Sequence, residues 1–138
     1  MSNLYRFGVS LDKELIKKFD DHIHKQNYQN RSEAIRDLIR EELVRQQWAG
    51  GEEVAGAITM VYDHHKRELV NKVMDIQHDF VNTIISTQHI HLDHHNCLEI
   101  IAVKGTAKNV QKLTNTLRSQ KNVGHVTLSM STTGKMLR

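Results

Sequence analysis

With 138 residues and a formal net charge of +3, the chain makes one ordinary domain or two very small ones, and units that small rarely bury enough apolar surface to fold alone, which favours an oligomer. A single cysteine excludes an internal disulfide and leaves a free, ligand-competent thiol, as expected of a cytoplasmic protein. No apolar run is long enough to span a bilayer, no signal-peptide core is present, and the cations are spread along the chain, so any nucleic-acid contact has to be local.

Residues 5–11 alternate, with Tyr5, Phe7, Val9 and Leu11 on one side and Arg6, Gly8 and Ser10 on the other, the pattern of a short half-buried strand. Asp12 is placed to cap a helix in which Leu15, Ile16, Phe19 and Ile23 repeat at helical spacing, and Asn27-Tyr28-Gln29 breaks it. Asn30 with Glu33 three residues on reads as a capping box opening a second helix, whose stripe is Ala34, Ile35, Leu38, Ile39 and Leu43. The strand has no partner in its own chain. Two copies pairing antiparallel across a two-fold axis would present Arg6, Gly8 and Ser10 twice on one face, and a two-stranded ribbon fits the major groove of DNA. The Gly pair and polar residues of 46–53 end the apolar periodicity. A boundary there gives a domain of residues 1–50 and a second of residues 51–138, with Trp48 packing between them.

Residues 54–62 then read as a strand, and Asp63 as the cap of a helix carrying Leu69, Val70, Val73, Met74 and Ile76 to about His78. Two strands, 81–92 and 97–104, precede a helix that starts near Thr106 and carries Ala107, Val110, Leu113 and Leu117. A last strand spans 123–130. The order β-α-β-β-α-β is that of a ferredoxin-like (ACT-like) antiparallel sheet with both helices on one face, so the whole chain is expected to be α+β.

Chemistry concentrates between His78 and Cys97, which hold five of the ten histidines and the lone cysteine. Alternation along a strand sets His89 and His91 on one face, and Asp93-His94-His95-Asn96 reads as a turn. A hairpin centred on His94 places His91 opposite Cys97 and His89 opposite Glu99, with Cβ atoms about 5 Å apart. Two neutral imidazoles and a thiolate form an N₂S set suited to zinc, copper or nickel. A fourth ligand is missing from the hairpin. His78 is the obvious donor in sequence, and spacing does not say which chain supplies it. Glu99 is positioned to accept the other N–H of His89 and fix its tautomer. His64, His65, His94, His95 and His125 read as surface histidines, none of them a high-affinity ligand. Cys97 has none of the usual base and orienting residues of a catalytic nucleophile, so the chain is not read as an enzyme. The residues leave three classes: a metal-responsive DNA-binding regulator with nickel or copper as the signal, a metal-binding protein without DNA, and an antitoxin-like repressor with incidental histidines.

The N-terminal strand and the run N-R-S-E-A-I-R-D-L-I-R resemble the ribbon-helix-helix DNA-binding domains. That βαα unit, followed by a βαββαβ domain with His78, H-I-H-L-D-H-H-N-C and then L-E-I, closely resembles the NikR family of nickel-responsive transcriptional regulators over nearly the whole chain. The resemblance implies one square-planar Ni(II) per subunit, held by His89, His91 and Cys97 with His78 of the partner subunit. It also implies a homotetramer, a dimer of dimers, that binds double-stranded operator DNA and represses nickel uptake. Within it Arg6, Gly8 and Ser10 match the base-reading strand, although family members often carry a hydroxyl where this chain has Gly8. Asn30, Arg31 and Ser32 sit at a helix start suited to a phosphate, and Lys66 and Arg67 match a segment that touches DNA backbone. Glu33 and Asp37 match carboxylates used for a potassium-like cation between the domains.

Overall fold

The computed structural model describes residues 3–137, which divide into two compact units, one ending at Arg40 and one beginning at Glu41. In the first, helix α1 (Lys13–Lys25) is strongly amphipathic yet buries none of its residues. Asp12 holds the N-cap position with extended backbone, but its side chain makes no capping bond; its carbonyl accepts from Ile16 N–H at 3.0 Å. Asn27 turns the chain at φ 60°, a left-handed conformation that asparagine tolerates. Helix α2 (Arg31–Ala49) starts as expected, with the Asn30 side-chain oxygen accepting from Glu33 N–H at 3.0 Å.

Two expectations for this unit need correcting. Residues 5–11 belong to no strand, because a strand is defined by its ladder and one chain offers no second edge. Of the α2 stripe only Ala34 is buried, while Leu38 and Ile39 stay about half exposed. The apolar side chains are all in place, with Phe7, Val9, Leu11, Leu15, Ile16, Phe19, Ile35 and Leu38 lining one groove. What is missing is whatever they close upon.

The second unit begins within α2, which runs on to Ala49 instead of ending near Gln46. The break falls at Gly51, whose φ of 72° suits a helix C-terminus. Strands β1 (Glu53–Asp63), β2 (Ile84–His91), β3 (Asn96–Thr106) and β4 (Val123–Met130) alternate with helices α3 (Arg67–Asp79) and α4 (Ala107–Arg118) in the expected order. They form one sheet in the sequence β2-β3-β1-β4, every pairing antiparallel, which is the ferredoxin-like topology. Thr106 caps α4, its hydroxyl accepting from Asn109 N–H at 3.2 Å. Asp63 does not cap α3. Its carboxylate bonds the N–H of His65, and Lys66 takes the cap position without a side-chain bond.

One face of the sheet carries the core: Ile58, Met60, Ile101 and Val103 pack with Val73 and Ile76 of α3 and Val110, Leu113 and Leu117 of α4. Trp48, expected between the domains, joins this cluster at 5% exposure and donates from Nε1 to the Ser131 carbonyl at 2.8 Å. Gly56 lies beneath it, where a Cβ would stand 2.6 Å from the Ser129 carbonyl oxygen and 3.5 Å from the indole. The opposite sheet face, with Ala57, Thr59, Val61, Leu98, Ile100 and Ala102, is only half-buried. A half-buried apolar sheet face of this kind suits contact with a second molecule.

Candidate metal centre

The β2–β3 hairpin has the register that alternation predicts: His91 pairs with Cys97 and His89 with Glu99. The turn is built by Asp93. Its carboxylate accepts from the N–H groups of His95 (2.9 Å) and Asn96 (2.8 Å) and from the Asn96 side chain (3.1 Å). The bonds from Asn96, then that from His95, hold its carboxyl down at about 2, since each favours the charged form. Across the top of the hairpin, Leu92 N–H bonds the Asn96 carbonyl at 2.9 Å.

Cys97 is fully buried on the helix-bearing face, and its Sγ lies 3.6 Å from His91 Nδ1. Burial first, and then the negative charges of Glu99, Asp63 and Asp93, push its thiol above the ordinary cysteine range. His89 turns its Nδ1 toward a buried polar group, 3.4 Å from the Tyr62 hydroxyl and 3.9 Å from Glu99 Oε1. Glu99 is itself 7% exposed, accepting from Gln77 Nε2 at 3.1 Å and from Tyr62 at 3.5 Å. Burial raises its pKa, against which the neighbouring His89 and its hydrogen-bond donors pull it down. Burial, reinforced by the charges of Glu99 and Cys97, likewise pushes the Tyr62 hydroxyl well above the ordinary phenol range. Two imidazoles and a thiol on one face suit a borderline-soft ion, and the buried carboxylate beside His89 suits a residue that orients a ligand.

His78 lies exposed in the last turn of α3. Among the described residues it joins neither of the two groups whose ligand atoms all fall within 4.8 Å of one another. Those groups are His64, His91 and Cys97, and Asp63, His65 and His95. The first sets His64, read from the sequence as a surface histidine, beside His91 and Cys97. No sequence spacing pointed to it, but the sheet register does: Asp63 pairs with Asn96, so the next residue outward has to meet the hairpin turn.

The residues matched to DNA contact are on the surface. Arg6, Gly8 and Ser10 are exposed, and a Cβ at Gly8 would meet nothing within 4 Å. Asn30 is spent on its cap, and Arg31 holds Asp20 through two bonds of 2.9 Å; Ser32 is exposed. Lys66, Arg67, Lys72 and Lys121 line one cleft of about 500 Å³. Glu33 and Asp37 line a smaller one with Tyr28, Arg36 and Arg40, and Tyr28 donates to Asp37 at 2.7 Å.

Comparison with known proteins separates the classes left open. Residues 5–46 match the model of the ribbon-helix-helix proteins of the copG family, and residues 55–131 match that of the NikR C-terminal nickel-binding domain. The chain belongs to the NikR family. It is 66% identical to a protein of Chlorobium limicola described as a nickel-responsive regulator, over 97% of this chain and all of that one. A Syntrophus aciditrophicus protein of the same description is 60% identical over 99% of both chains, and one from Pyrococcus furiosus 53% over 96% of both. Among solved structures, an uncharacterized protein from Thermotoga maritima superposes with a TM-score of 0.51 at 15% identity, covering 56% of this chain and 95% of its own. That likeness concerns the fold alone. The relatives are regulators, which agrees with the reading that this NikR family member is not an enzyme. No helix among the described residues is long and apolar enough to cross a membrane.

Proposed function

We propose that this NikR family member is a nickel-dependent transcriptional repressor that binds double-stranded operator DNA when Ni(II) occupies a site shared between two subunits. His89, His91 and Cys97 supply three donors from one chain, and the partner's His78 supplies the fourth. The observation that carries this reading is the hairpin register, which sets His91 against Cys97 and His89 against the buried Glu99 while leaving His78 exposed and outside the cluster. A set that lacks a donor, beside a donor that lacks a set, is what a site completed by a second copy requires.

The DNA end of the proposal rests on the first unit. Its apolar side chains line an open groove, so closing that groove by pairing two copies through residues 5–11 buries them and forms the ribbon that carries Arg6, Gly8 and Ser10. The cationic cleft at Lys66, Arg67, Lys72 and Lys121 is suited to phosphate. Glu33 and Asp37, which line one small cleft with Tyr28, are the carboxylates for a potassium-like cation.

Metal cannot touch a base from the second unit, so its effect on DNA is a coupling free energy, and the metal has to bind the DNA-competent state more tightly than the incompetent one. The test is a mobility shift on candidate operator fragments with and without Ni(II), beside the thiolate-to-nickel absorption band of the same sample. The expected result is a sequence-specific shift that appears with that band. A protein that shows the band but gains no DNA affinity is a metal-binding protein of another kind, and the repressor reading fails.

A further inference from the structure

Six of the seven glycines have a reason within the chain. A Cβ at Gly50, Gly56, Gly105 or Gly124 would stand 3.4 Å or less from another atom, and Gly51 and Gly134 take φ of 72° and 85°, a region in which side chains are strained. Gly8 has neither reason. Its φ is not positive, and a Cβ there would meet nothing within 4 Å. Glycine weakens a strand through backbone entropy and the lack of a side chain to pack, and where it persists it often marks a close approach by a ligand or another backbone. What needs the space at Gly8 lies outside this chain.

The pairing of two copies through residues 5–11 says what faces that space. Tyr5, Phe7, Val9 and Leu11 are disposed symmetrically about residue 8, and so are Arg6 and Ser10. An antiparallel pair centred there sets the two Gly8 residues opposite one another, with Cα atoms about 4.5–5.5 Å apart, and each Arg6 opposite Ser10 of the partner subunit. The apolar side chains alternate to the other face. The partner strand therefore brings a second gap rather than a side chain to fill the first, and the ribbon is bare main chain at its centre with Arg6 on both flanks.

We infer that Gly8 determines DNA specificity by fit: the main chain of the two Gly8 residues rests directly against base edges in the major groove, in the space that two Cβ atoms would take. The groove floor projects base edges and thymine methyl groups, and a ribbon without side chains at its centre seats closer to them than one that carries any. Arg6 on each flank then reaches a base edge from a ribbon lying deeper in the groove. The inference rests on the ribbon reading of residues 5–11 made above.

The experiment uses the full chain with Ni(II), in the wild type, Gly8→Ala and Gly8→Val. The probes are the candidate operator fragment on which the wild type gives its strongest shift and a random fragment of the same length. Strand propensity rises from glycine through alanine to valine, so the assembly state and the Tm are expected to hold or rise along the series. Operator affinity is expected to move the other way, falling by about fivefold or more in Gly8→Ala and further in Gly8→Val. Binding to random DNA, which is set by cations and phosphates, is expected to stay unchanged. A glycine with a merely structural role would move stability and operator affinity together. Operator binding by Gly8→Ala as tight as that of the wild type overturns the inference, and so does an equal loss on random DNA. Loss of the assembled state in sedimentation also overturns it, because the space would then belong to the partner strand. A wild type with no operator-specific shift fails the ribbon reading itself, and the inference falls with it.

Discussion

At the scale of single residues, the buried thiol sets the terms on which metal enters. Burial and three nearby carboxylates raise the pKa of Cys97, so at neutral pH the thiol carries its proton and ligation has to displace it. Nickel uptake is therefore expected to release a proton and to weaken steadily as pH falls. Calorimetry in two buffers of different ionisation enthalpy measures that release directly, and a heat independent of buffer contradicts it. Cys97→Ala should abolish the thiolate-to-nickel band altogether. Asp93 gives the opposite sign. Its folded carboxyl sits at about 2, below the ordinary value of about 4. The turn's contribution to stability is thus complete above about pH 4 and is lost as pH falls from there through about 2. Asp93→Ala should flatten that part of the acid limb of the melting curve, and an unchanged limb would mean that the turn is held by something else.

At the scale of elements, the two ends of the chain differ in how far they could be read in advance. The hairpin was legible because the alternation of side chains has a period of two: once the turn is centred, parity fixes His91 against Cys97 with no freedom left. Strand β4 fell at residues 123–130 as read, and helix α4 begins at Ala107, next to the expected start near Thr106. Residues 5–11 failed as a strand for the reason that made them legible as one, since their apolar side has nothing in the same chain to face. His64 was invisible because its partners are the carbonyls of a turn thirty residues away, and backbone acceptors carry no residue identity. If residues 5–11 form the proposed ribbon, Arg6 reads base edges while Lys66 touches phosphate. Arg6→Ala should then cost about 1–3 kcal/mol on operator DNA and relax specificity, while Lys66→Ala should weaken all sequences alike and lower the salt slope by about one. Equal losses on operator and random DNA for Arg6→Ala would exclude the groove-reading role.

At the scale of the whole molecule, the exposed side chains argue that one chain is not the functional particle. Phe7 is 68% exposed, Val9 61% and Leu15 54%, and the second sheet face leaves Ala57, Val61, Leu98 and Ile100 only half-buried. Two separate apolar surfaces on one chain suit two separate interfaces, which makes a dimer of dimers the expected assembly. Sedimentation should give a tetramer at micromolar concentration, and a stable folded monomer would rule out both the ribbon and the shared nickel site.

The seat of Trp48 has an optical consequence. It is the only tryptophan in the chain, buried beneath the end of α2 and bonded through Nε1 to the Ser131 carbonyl. Every photon of indole emission therefore comes from the place where the long helix meets the sheet, and no label is needed to watch it. In the intact chain that emission should be blue-shifted and poorly quenched by iodide. Removing residues 131–138 takes away the carbonyl partner, along with the Thr132 hydroxyl that donates to Gln47 at 2.9 Å, and should move the emission to the red while iodide gains access. If the truncated chain kept the same colour and the same protection, packing over Gly56 alone would be holding the helix end in place.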